Sequence, residues 1–144
     1  MNENMRKLFF ETRILSLATV CDDRAPYGTL LRFMSDGEYI YFDNVPTSVH
    51  LNNIRRDSRV FVNILNTDGA DSISGYIRSR AEIISGVGAD RVFELLKTVG
   101  SPDPKNNVYC RVKIGEIDKT RKVKNPERQF YFINNDLKEK KDEV

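Results

Sequence analysis

The dipeptide Asp36–Gly37 constrains the fold of this chain more than any other feature of its sequence. It separates the runs RFMS and EYIYFD. An Asp-Gly pair between two strand-like runs is a strong signal for a tight primed turn, because both residues tolerate a positive φ. Side chains alternate along EYIYFD and place Ile40 and Phe42 on one face. We therefore predict two antiparallel strands that turn at Asp36–Gly37.

Other runs rich in aliphatic, β-branched and aromatic residues predict further strands. They are ILSLATV, YGTLLRFM, RVFVNILN, SISGYIRSRAEIIS, VYCRVKIGEID and QFYFI. Helical spacing occurs in residues 2–13, in a short segment after Thr47–Ser48, and in residues 89–99, where Asp90 is the expected N-cap. Six or seven antiparallel strands with a few short helices favour a mainly β fold, a small barrel with flanking helices. We predict one domain over residues 1–135 and a charged tail over residues 136–144.

Composition and charge exclude several classes of function. The net charge of +2, from 23 basic and 21 acidic residues, does not favour nucleic-acid binding. No apolar run approaches the roughly 18 residues of a membrane-spanning helix, and the N-terminus is too polar for a secretory signal, so we expect a cytoplasmic protein without a membrane partner. The two cysteines, Cys21 and Cys110, form no C-x-x-C pair and the chain has one histidine, so we predict packing roles for the cysteines and no metal site.

The segment SVHLNNIRRDSRV interrupts the predicted strands with a short helix. Thr47 or Ser48 is a natural N-cap, and the helix start combines free backbone N–H groups with a hydroxyl and a candidate cation at His50. Such a start can bind a phosphate, and Arg32 at the end of a neighbouring strand adds a planar five-donor group. The alternative is that Ser48 only caps the helix, that His50 lies on its solvent side, and that the arginines after it form a solvated face.

The order of these features resembles the pyridoxamine 5′-phosphate oxidase-like family, the flavin-binding split β-barrels. The resemblance covers roughly residues 5–117. It rests on LATV at the end of the first strand, the turn at Asp36–Gly37, YFDN closing the third strand, NNIRRDSRV leading into the fourth, and GYIRSRAEI in the fifth. It implies a split barrel that forms a homodimer, with FMN in a cleft between the subunits and a small-molecule substrate.

The resemblance also implies which residues hold the cofactor. The second strand lays its backbone along the flavin, the third strand ends beside the ring, the helix start holds the phosphate, and one residue reaches the flavin from the partner subunit. In this order the positions are Tyr27, Gly28, Thr29, Leu30, Leu31 and Arg32; Phe42, Asp43 and Asn44; Thr47, Ser48, Val49 and His50; and Ser74.

Three departures from the family pattern affect the expected function. The helix starts with Ser48-Val49-His50 where the family commonly has Ser-Arg-Lys, and Tyr27 replaces an arginine that contacts phosphate. The C-terminal segment also lacks the histidine that would bind vitamin B6. We therefore expect a flavin-dependent oxidoreductase that acts on another small molecule. The family also includes binders of the deazaflavin coenzyme and of haem, and His50 could serve as an axial haem ligand.

Two other classes of function stay open from the sequence. A small barrel can bind single-stranded nucleic acid or oligosaccharide, with Tyr39, Tyr41 and Tyr76 as stacking platforms. A member of the family that has lost its cofactor can persist as a structural or regulatory dimer. We name no catalytic side chain, because a bound flavin would supply the redox chemistry itself.

Overall fold

The body of the molecule is an antiparallel sheet curled into a half-barrel. The computed structural model describes residues 3–67, 72–99, 106–122 and 128–134. Its helices are α1 (Glu3–Phe10), α2 (Val49–Arg56) and α3 (Val87–Leu96), which continues into a 3₁₀ turn (Lys97–Val99). Its strands are β1 (Ile14–Val20), β2 (Pro26–Arg32), β3 (Met34–Ser35), β4 (Tyr39–Asn44), β5 (Arg59–Asn66), β6 (Ser72–Ile84), β7 (Val108–Lys113), β8 (Glu116–Lys122) and β9 (Arg128–Asn134).

Seven strands follow one another across the sheet in the order β2-β1-β5-β6-β7-β4-β3. The pairs along this path are antiparallel. Because only Phe33 separates the end of β2 from the start of β3, the two ends of the path are adjacent in the chain, and the sheet curls to bring them together. The predicted mainly β fold, with six or seven antiparallel strands and short helices, is confirmed.

Strand β6 connects the two halves of the curled sheet. It is 13 residues long and pairs with β5 along Ile73–Arg80 and with β7 along Ala81–Ile84. Its first half also pairs with β9 in parallel, and β9 forms an antiparallel hairpin with β8. The run VYCRVKIGEID, predicted as one strand, is therefore divided between β7 and β8, and the meander has one parallel pair that the sequence did not indicate.

Alternating side chains of the strands fill the inside of the half-barrel. Leu17 of β1, Ile40 and Phe42 of β4, Val62 of β5 and Val112 of β7 are fully buried in one continuous cluster. Two helices contribute to the same cluster, and their buried side chains are Met5, Leu8 and Phe9 of α1 and Leu51 and Ile54 of α2. A smaller cluster of Val92, Leu96 and Tyr109 lies under α3.

Two local features differ from the sequence-based prediction. The hairpin at Asp36–Gly37 is confirmed, with β3 paired to β4 and Gly37 at a φ of 91°. Asp36 is not among the described non-glycine residues with positive φ, so only the glycine of the predicted pair adopts that conformation. The Oδ1 of Asp36 accepts the N–H groups of Glu38 at 2.9 Å and Tyr39 at 2.8 Å. Helix α3 begins at Val87 after Gly86, three residues before the predicted cap at Asp90.

The predicted tail, residues 136–144, lies outside the described residues. Cys110 is buried and Cys21 is half-buried, which agrees with the packing roles expected for the two thiols. Within the parts of the chain that the structure describes, none of the helices has the length and apolar character needed to cross a lipid bilayer.

Candidate functional site

The start of helix α2 presents hydrogen-bond donors and lacks negative charge. Ser48 occupies the N-cap position with extended backbone angles of φ −66° and ψ 146°, and its side chain makes no capping hydrogen bond. Its Oγ is buried and has no hydrogen-bond partner among the described residues. The first turn contains no acidic residue, whereas Arg55 and Arg56 lie in the last turn. The first N–H groups of a helix have no partner within it, so hydroxyl and amides together suit an anion.

The imidazole of His50 does not contribute to that anion site. His50 is buried, with 8% of its surface exposed, and its Nε2 lies 2.6 Å from Oδ1 of Asn44. The Asn44 amide is oriented by its Nδ2, which donates to the carbonyl of Val108 at 2.9 Å, so the His50 Nε2–H is the donor to Oδ1. Burial lowers the pKa of His50 below its ordinary value, which favours the neutral ring.

The structure therefore corrects both orientations expected for the His50 side chain. It neither faces a phosphate as a cation nor lies on the solvent side of α2. The short helix packs onto β1, and the side chain of its second residue, His50, contacts Asn44 at the end of β4. At the start of α2, His50 therefore contributes its backbone N–H as a donor, and its side chain does not contribute.

The predicted residues at the end of β4 are divided between the inside and the surface. Phe42 is fully buried in the core, and Asn44 is buried beside Cys110 and His50. Only Asp43 is partly exposed, and its carboxylate accepts a hydrogen bond from Nδ2 of Asn107 at 2.7 Å. The side chains of Phe42 and Asn44 hold β4 and α2 in place and are not available to a ligand.

Strand β2 lies at one end of the sheet path and leaves an edge unpaired within the described chain. It pairs with β1 from Pro26 to Arg32, and no second neighbour is hydrogen-bonded to it along that path. Its burial alternates: Gly28, Leu30 and Arg32 are exposed on the outer face. A Cβ atom added at Gly28 would meet no other atom within 4 Å, so the backbone there is open to approach.

Strand register places the distant Ser74 on the same outer face as these three residues. Arg32 lies opposite Ile14, and Leu65 lies opposite Ser74, with Ile14 and Leu65 in adjoining strands. Residues that lie directly opposite one another in neighbouring strands point to the same face of the sheet, so Arg32 and Ser74 share a face. Three inter-strand spacings of about 4.8 Å separate their strands, roughly 14 Å in all. One face thus collects four of the predicted cofactor residues, while Tyr27, Thr29 and Leu31 point to the inner side.

The tyrosines considered as stacking platforms do not form one surface. Tyr39 and Tyr41 lie on β4 with ring centroids 6.0 Å apart, and the guanidinium of Arg111 covers Tyr39 at 4.2 Å. The Tyr41 hydroxyl donates to Asp36 at 2.6 Å, and burial together with this bond raises its pKa. Tyr76 lies on the outer face of β6, stacked on Phe61. These rings already have partners, which weakens the interpretation as a nucleic-acid surface.

The sequence analysis missed a cavity of about 870 Å³ that is lined by four arginines. Arg24, Arg56, Arg59 and Arg78 contribute to it, and none of the predicted cofactor residues does. The run RRDSR holds two of these arginines, and the alternative interpretation of the helix treated its arginines as a solvated face. Among the described residues, no group of three or more histidine, cysteine, aspartate or glutamate side chains is placed to hold a metal ion.

Comparison with protein families gives one match, which covers most of the chain. A family model described as pyridoxamine 5′-phosphate oxidase matches residues 1–121. No curated protein matches the chain.

Solved structures with the same fold have low sequence identity. A candidate 5-nitroimidazole antibiotic resistance protein from Bacteroides thetaiotaomicron has a TM-score of 0.69 at 11% identity, with 81% of each chain covered. An F420 reductase has a TM-score of 0.62 at 21% identity, over 78% of this chain and 94% of the other. An FAD-binding protein from Mesorhizobium loti has a TM-score of 0.62 at 20% identity, over 78% of this chain and 86% of the other. At these identities the comparisons show a shared fold.

Proposed function

This chain belongs to the pyridoxamine 5′-phosphate oxidase family, and from that premise we propose that it binds FMN between two copies of itself and serves as a flavin-dependent oxidoreductase. The observation that carries the proposal is the buried, unpartnered hydroxyl of Ser48 at the start of α2. A buried polar atom without a partner costs free energy, so a ligand that accepts its hydrogen bond recovers that cost. A phosphate oxygen is such an acceptor.

The phosphate seat would consist of neutral donors. The backbone N–H groups of Val49, His50 and Leu51 point to the N-terminal end of α2, where the helix dipole favours an anion, and Ser48 occupies the N-cap position before them. Val49 stands where the family commonly has a basic residue, and it is 48% exposed. Two missing charge-assisted contacts, at about 1.5 to 3 kcal/mol each, predict that FMN binds more weakly here than in relatives with a basic pair.

The ring of the flavin would lie along the edge of β2 that has no strand partner within the described residues. The unpaired backbone groups of that edge can donate to and accept from the polar edge of a flavin, and Gly28 allows close approach because no side chain stands in the way. Arg32 ends the strand and offers a planar cation to the ring or its tail. When bound, FMN supplies hydride or electron transfer, and the residues of this chain bind it, orient it and exclude water.

The substrate is proposed to be a small molecule other than pyridoxamine 5′-phosphate. The chain has a single histidine, and that residue is buried against Asn44. A histidine for substrate recognition of the kind that the vitamin B6 oxidases use is therefore missing. The similarity to a protein described as a nitroimidazole resistance protein agrees with a reductase of small electrophilic compounds.

Two cofactors compete with FMN. The deazaflavin coenzyme F420 also carries a phosphate and would suit the same helix start, as the similarity to an F420 reductase suggests. Haem fits less well, because Nε2 of His50 is already bonded to Asn44 at 2.6 Å and would have to break that bond to ligate iron. A dimer that has lost its cofactor is the remaining alternative.

The decisive experiment is a titration of the purified protein with FMN, F420 and haem, followed by visible absorption after removal of excess ligand. We expect FMN to be retained. Ser48→Ala should raise the dissociation constant for FMN at least about tenfold, because it removes one hydrogen bond to a charged group. Ser58→Ala, the same substitution beyond the other end of α2, should leave the constant within about twofold.

Each alternative outcome has a distinct meaning. Retention of F420 alone would replace FMN by the deazaflavin coenzyme at the same seat, and a Soret band would move the assignment to haem. Wild-type affinity for FMN in the Ser48→Ala protein would refute the phosphate seat. No retained chromophore would refute the cofactor proposal and favour the structural dimer.

A further inference from the structure

The arginine-lined cavity lies at one corner of the half-barrel. Its walls come from the end of β1, the β1–β2 hairpin, the last residues of α2, the start of β5 and Arg78 of β6. Its volume of about 870 Å³ is in the range of cavities that hold small organic ligands. It touches β2 at Pro26, the first residue of that strand, and Ala18 in its wall pairs with Gly28 of β2.

Two of the arginines are held in fixed orientations with donors left over. Arg56 donates from Nη2 to the carbonyl of Val20 at 2.9 Å and to Oδ1 of Asn53 at 2.8 Å. Arg59 forms a fork with Asp57, from Nε at 3.0 Å and from Nη2 at 2.7 Å. Within the described chain, neither Nη1 has a hydrogen-bond partner. Fixed guanidinium groups with free N–H donors are suited to an oxyanion, since little conformational freedom is lost on binding.

Arg24 occupies a backbone position that favours glycine. Its φ is +70°, and no other non-glycine residue in the described part of the chain has a positive φ. The turn around it is tight, with the Arg24 N–H donating to the Cys21 carbonyl at 2.9 Å and the Cys21 N–H to the Ala25 carbonyl at 2.8 Å. A side chain at such a position costs stability that glycine would not. Arg24 lines the cavity, and ligand binding by its guanidinium would explain why an arginine occupies this position despite the loss of stability.

The rest of the cavity supports an anion that carries an apolar part. Its carboxylates are Asp22 and Asp57, against four arginines. Arg59 engages Asp57 and lowers the pKa of that carboxyl to about 2. Phe61 supplies an aromatic wall, with its ring stacked on Tyr76 at 5.0 Å and Arg78 over it at 5.6 Å. Positive charge and an apolar wall therefore meet in one space.

We propose that this cavity is a second ligand site, which binds a small organic oxyanion: a molecule that carries a phosphate or carboxylate group on an apolar body. The anionic group is held by the free donors of Arg56 and Arg59 together with Arg24, and the apolar body lies against Phe61 and Val20. This site is separate from the proposed flavin site. Its lining includes no residue of the start of α2, and Pro26 is the one residue of β2 among those that line it.

The test measures binding of phenyl phosphate, benzoate and phenol to the full chain by isothermal titration calorimetry. We expect saturable binding of one or both anions and none of phenol at matched concentration. Arg24→Gly should weaken anion binding about tenfold or more and raise the melting temperature, because glycine relieves the positive φ while the guanidinium is lost. Weaker anion binding together with a higher melting temperature would show that the variant has lost a ligand contact and has not lost its fold.

Two matched variants locate the site. Arg55→Ala removes a positive charge from the residue before Arg56, outside the cavity, and should keep the affinity within about twofold. Ser48→Ala should do the same for these anions while weakening FMN. Tighter binding of phenyl phosphate would assign a phosphate ligand, and tighter binding of benzoate a carboxylate; either supports the oxyanion site.

Four results would overturn the proposal. The first three are an absence of saturable anion binding by the wild type, equal affinity in the wild type and Arg24→Gly, and phenol binding as tight as that of the anions. Loss of anion binding in Ser48→Ala but not in Arg24→Gly would place the anion at the start of α2 and refute the cavity as its site.

Discussion

His50 and Asn44 form a buried polar contact that joins the start of α2 to the end of β4. The Nε2–H donates to Oδ1 of Asn44 at 2.6 Å. The Nδ2 of Asn44 in turn donates to the carbonyl of Val108 and to the Sγ of Cys110. The neutral ring satisfies this geometry, and burial disfavours a second proton. The imidazole therefore acts as a neutral structural donor.

This assignment predicts how stability depends on pH. The pKa of His50 is lower in the folded protein than its ordinary value of 6.5, so below about pH 6.5 the unfolded chain binds more protons than the folded one. The stability that the neutral ring provides is complete above that pH and is lost as pH falls. Urea unfolding of the wild type and His50→Gln should show a wild-type advantage that shrinks from pH 7.5 to pH 5.5.

Comparison with His50→Gln removes the effect of the other titrating groups, which both proteins share. A wild-type advantage that grows toward pH 5.5 would mean that the folded state stabilises the imidazolium, contrary to the buried contact with Asn44. The same variant should retain the wild-type affinity for FMN within about twofold, because the His50 side chain faces away from the phosphate seat.

Sequence reasoning located this histidine at a helix start but could not give its direction. The helix is eight residues long, and its two buried apolar residues, Leu51 and Ile54, left the rotation of the first turn open by one residue. The orientation depends on a partner, Asn44, six residues away across a loop. A side-chain contact of that kind is set by tertiary packing and carries no local pattern.

At the scale of the element, α2 is fastened to β1 by a polar side chain. Asn53 is buried, donates from Nδ2 to Oγ1 of Thr19 at 3.0 Å, and accepts from Arg56 at 2.8 Å. These bonds fix the end of the helix over β1 and position the guanidinium of Arg56 at the cavity. They account for a second polar residue, besides His50, on the buried face of a short helix.

Asn53→Ala should therefore lower the free energy of unfolding by about 1 to 3 kcal/mol, because Thr19 and Arg56 lose a buried partner. The neighbouring Asn52→Ala is a matched control. Asn52 is exposed and its Oδ1 lies 3.5 Å from Nη1 of Arg55, so its loss should change stability by no more than about 0.5 kcal/mol. Equal losses from the two substitutions, measured by chemical denaturation, would show that the Asn53 contacts do not fasten the helix.

The elements themselves were largely predictable because their signals are local. Alternation along EYIYFD and RVFVNILN gave the strands β4 and β5, and the Asp36–Gly37 pair gave the hairpin. The start of α3 was misplaced because a glycine at a φ of 65° acts as its N-cap, and the backbone geometry of Gly86 leaves no compositional signature. The four arginines of the cavity come from three separate parts of the sequence, and these parts converge only through the strand pairing.

At the scale of the whole molecule, the outer face formed by β2, β1, β5 and β6 is divided into two ends. One end carries Phe61 and the arginines of the cavity. The other exposes apolar side chains: Leu30 is 72% exposed, Leu65 58% and Ile14 46%. Strand register puts these three in adjacent rows, close to Arg32 and Ser74. Clustered apolar residues beside an unpaired strand edge are typical of an interface.

We predict that a second copy of the chain covers this apolar end and completes the cofactor cleft. Leu30→Glu should then convert the dimer to a monomer in sedimentation velocity, because a charge would be buried without a partner. It should also weaken FMN binding, since Ser74 of the second copy would no longer reach the flavin. The exposed position of Leu30 means that the monomer should keep its fold and its melting temperature.

Val87→Glu is the matched control for this substitution. Val87 is 79% exposed at the start of α3, away from the outer face, so the charge there should leave both the dimer and FMN affinity unchanged. A wild type that sediments as a monomer would refute the interface. A Leu30→Glu protein that becomes monomeric yet binds FMN with wild-type affinity would show that one chain holds the cofactor alone, so that the start of α2 and the edge of β2 would suffice without Ser74 of the second copy.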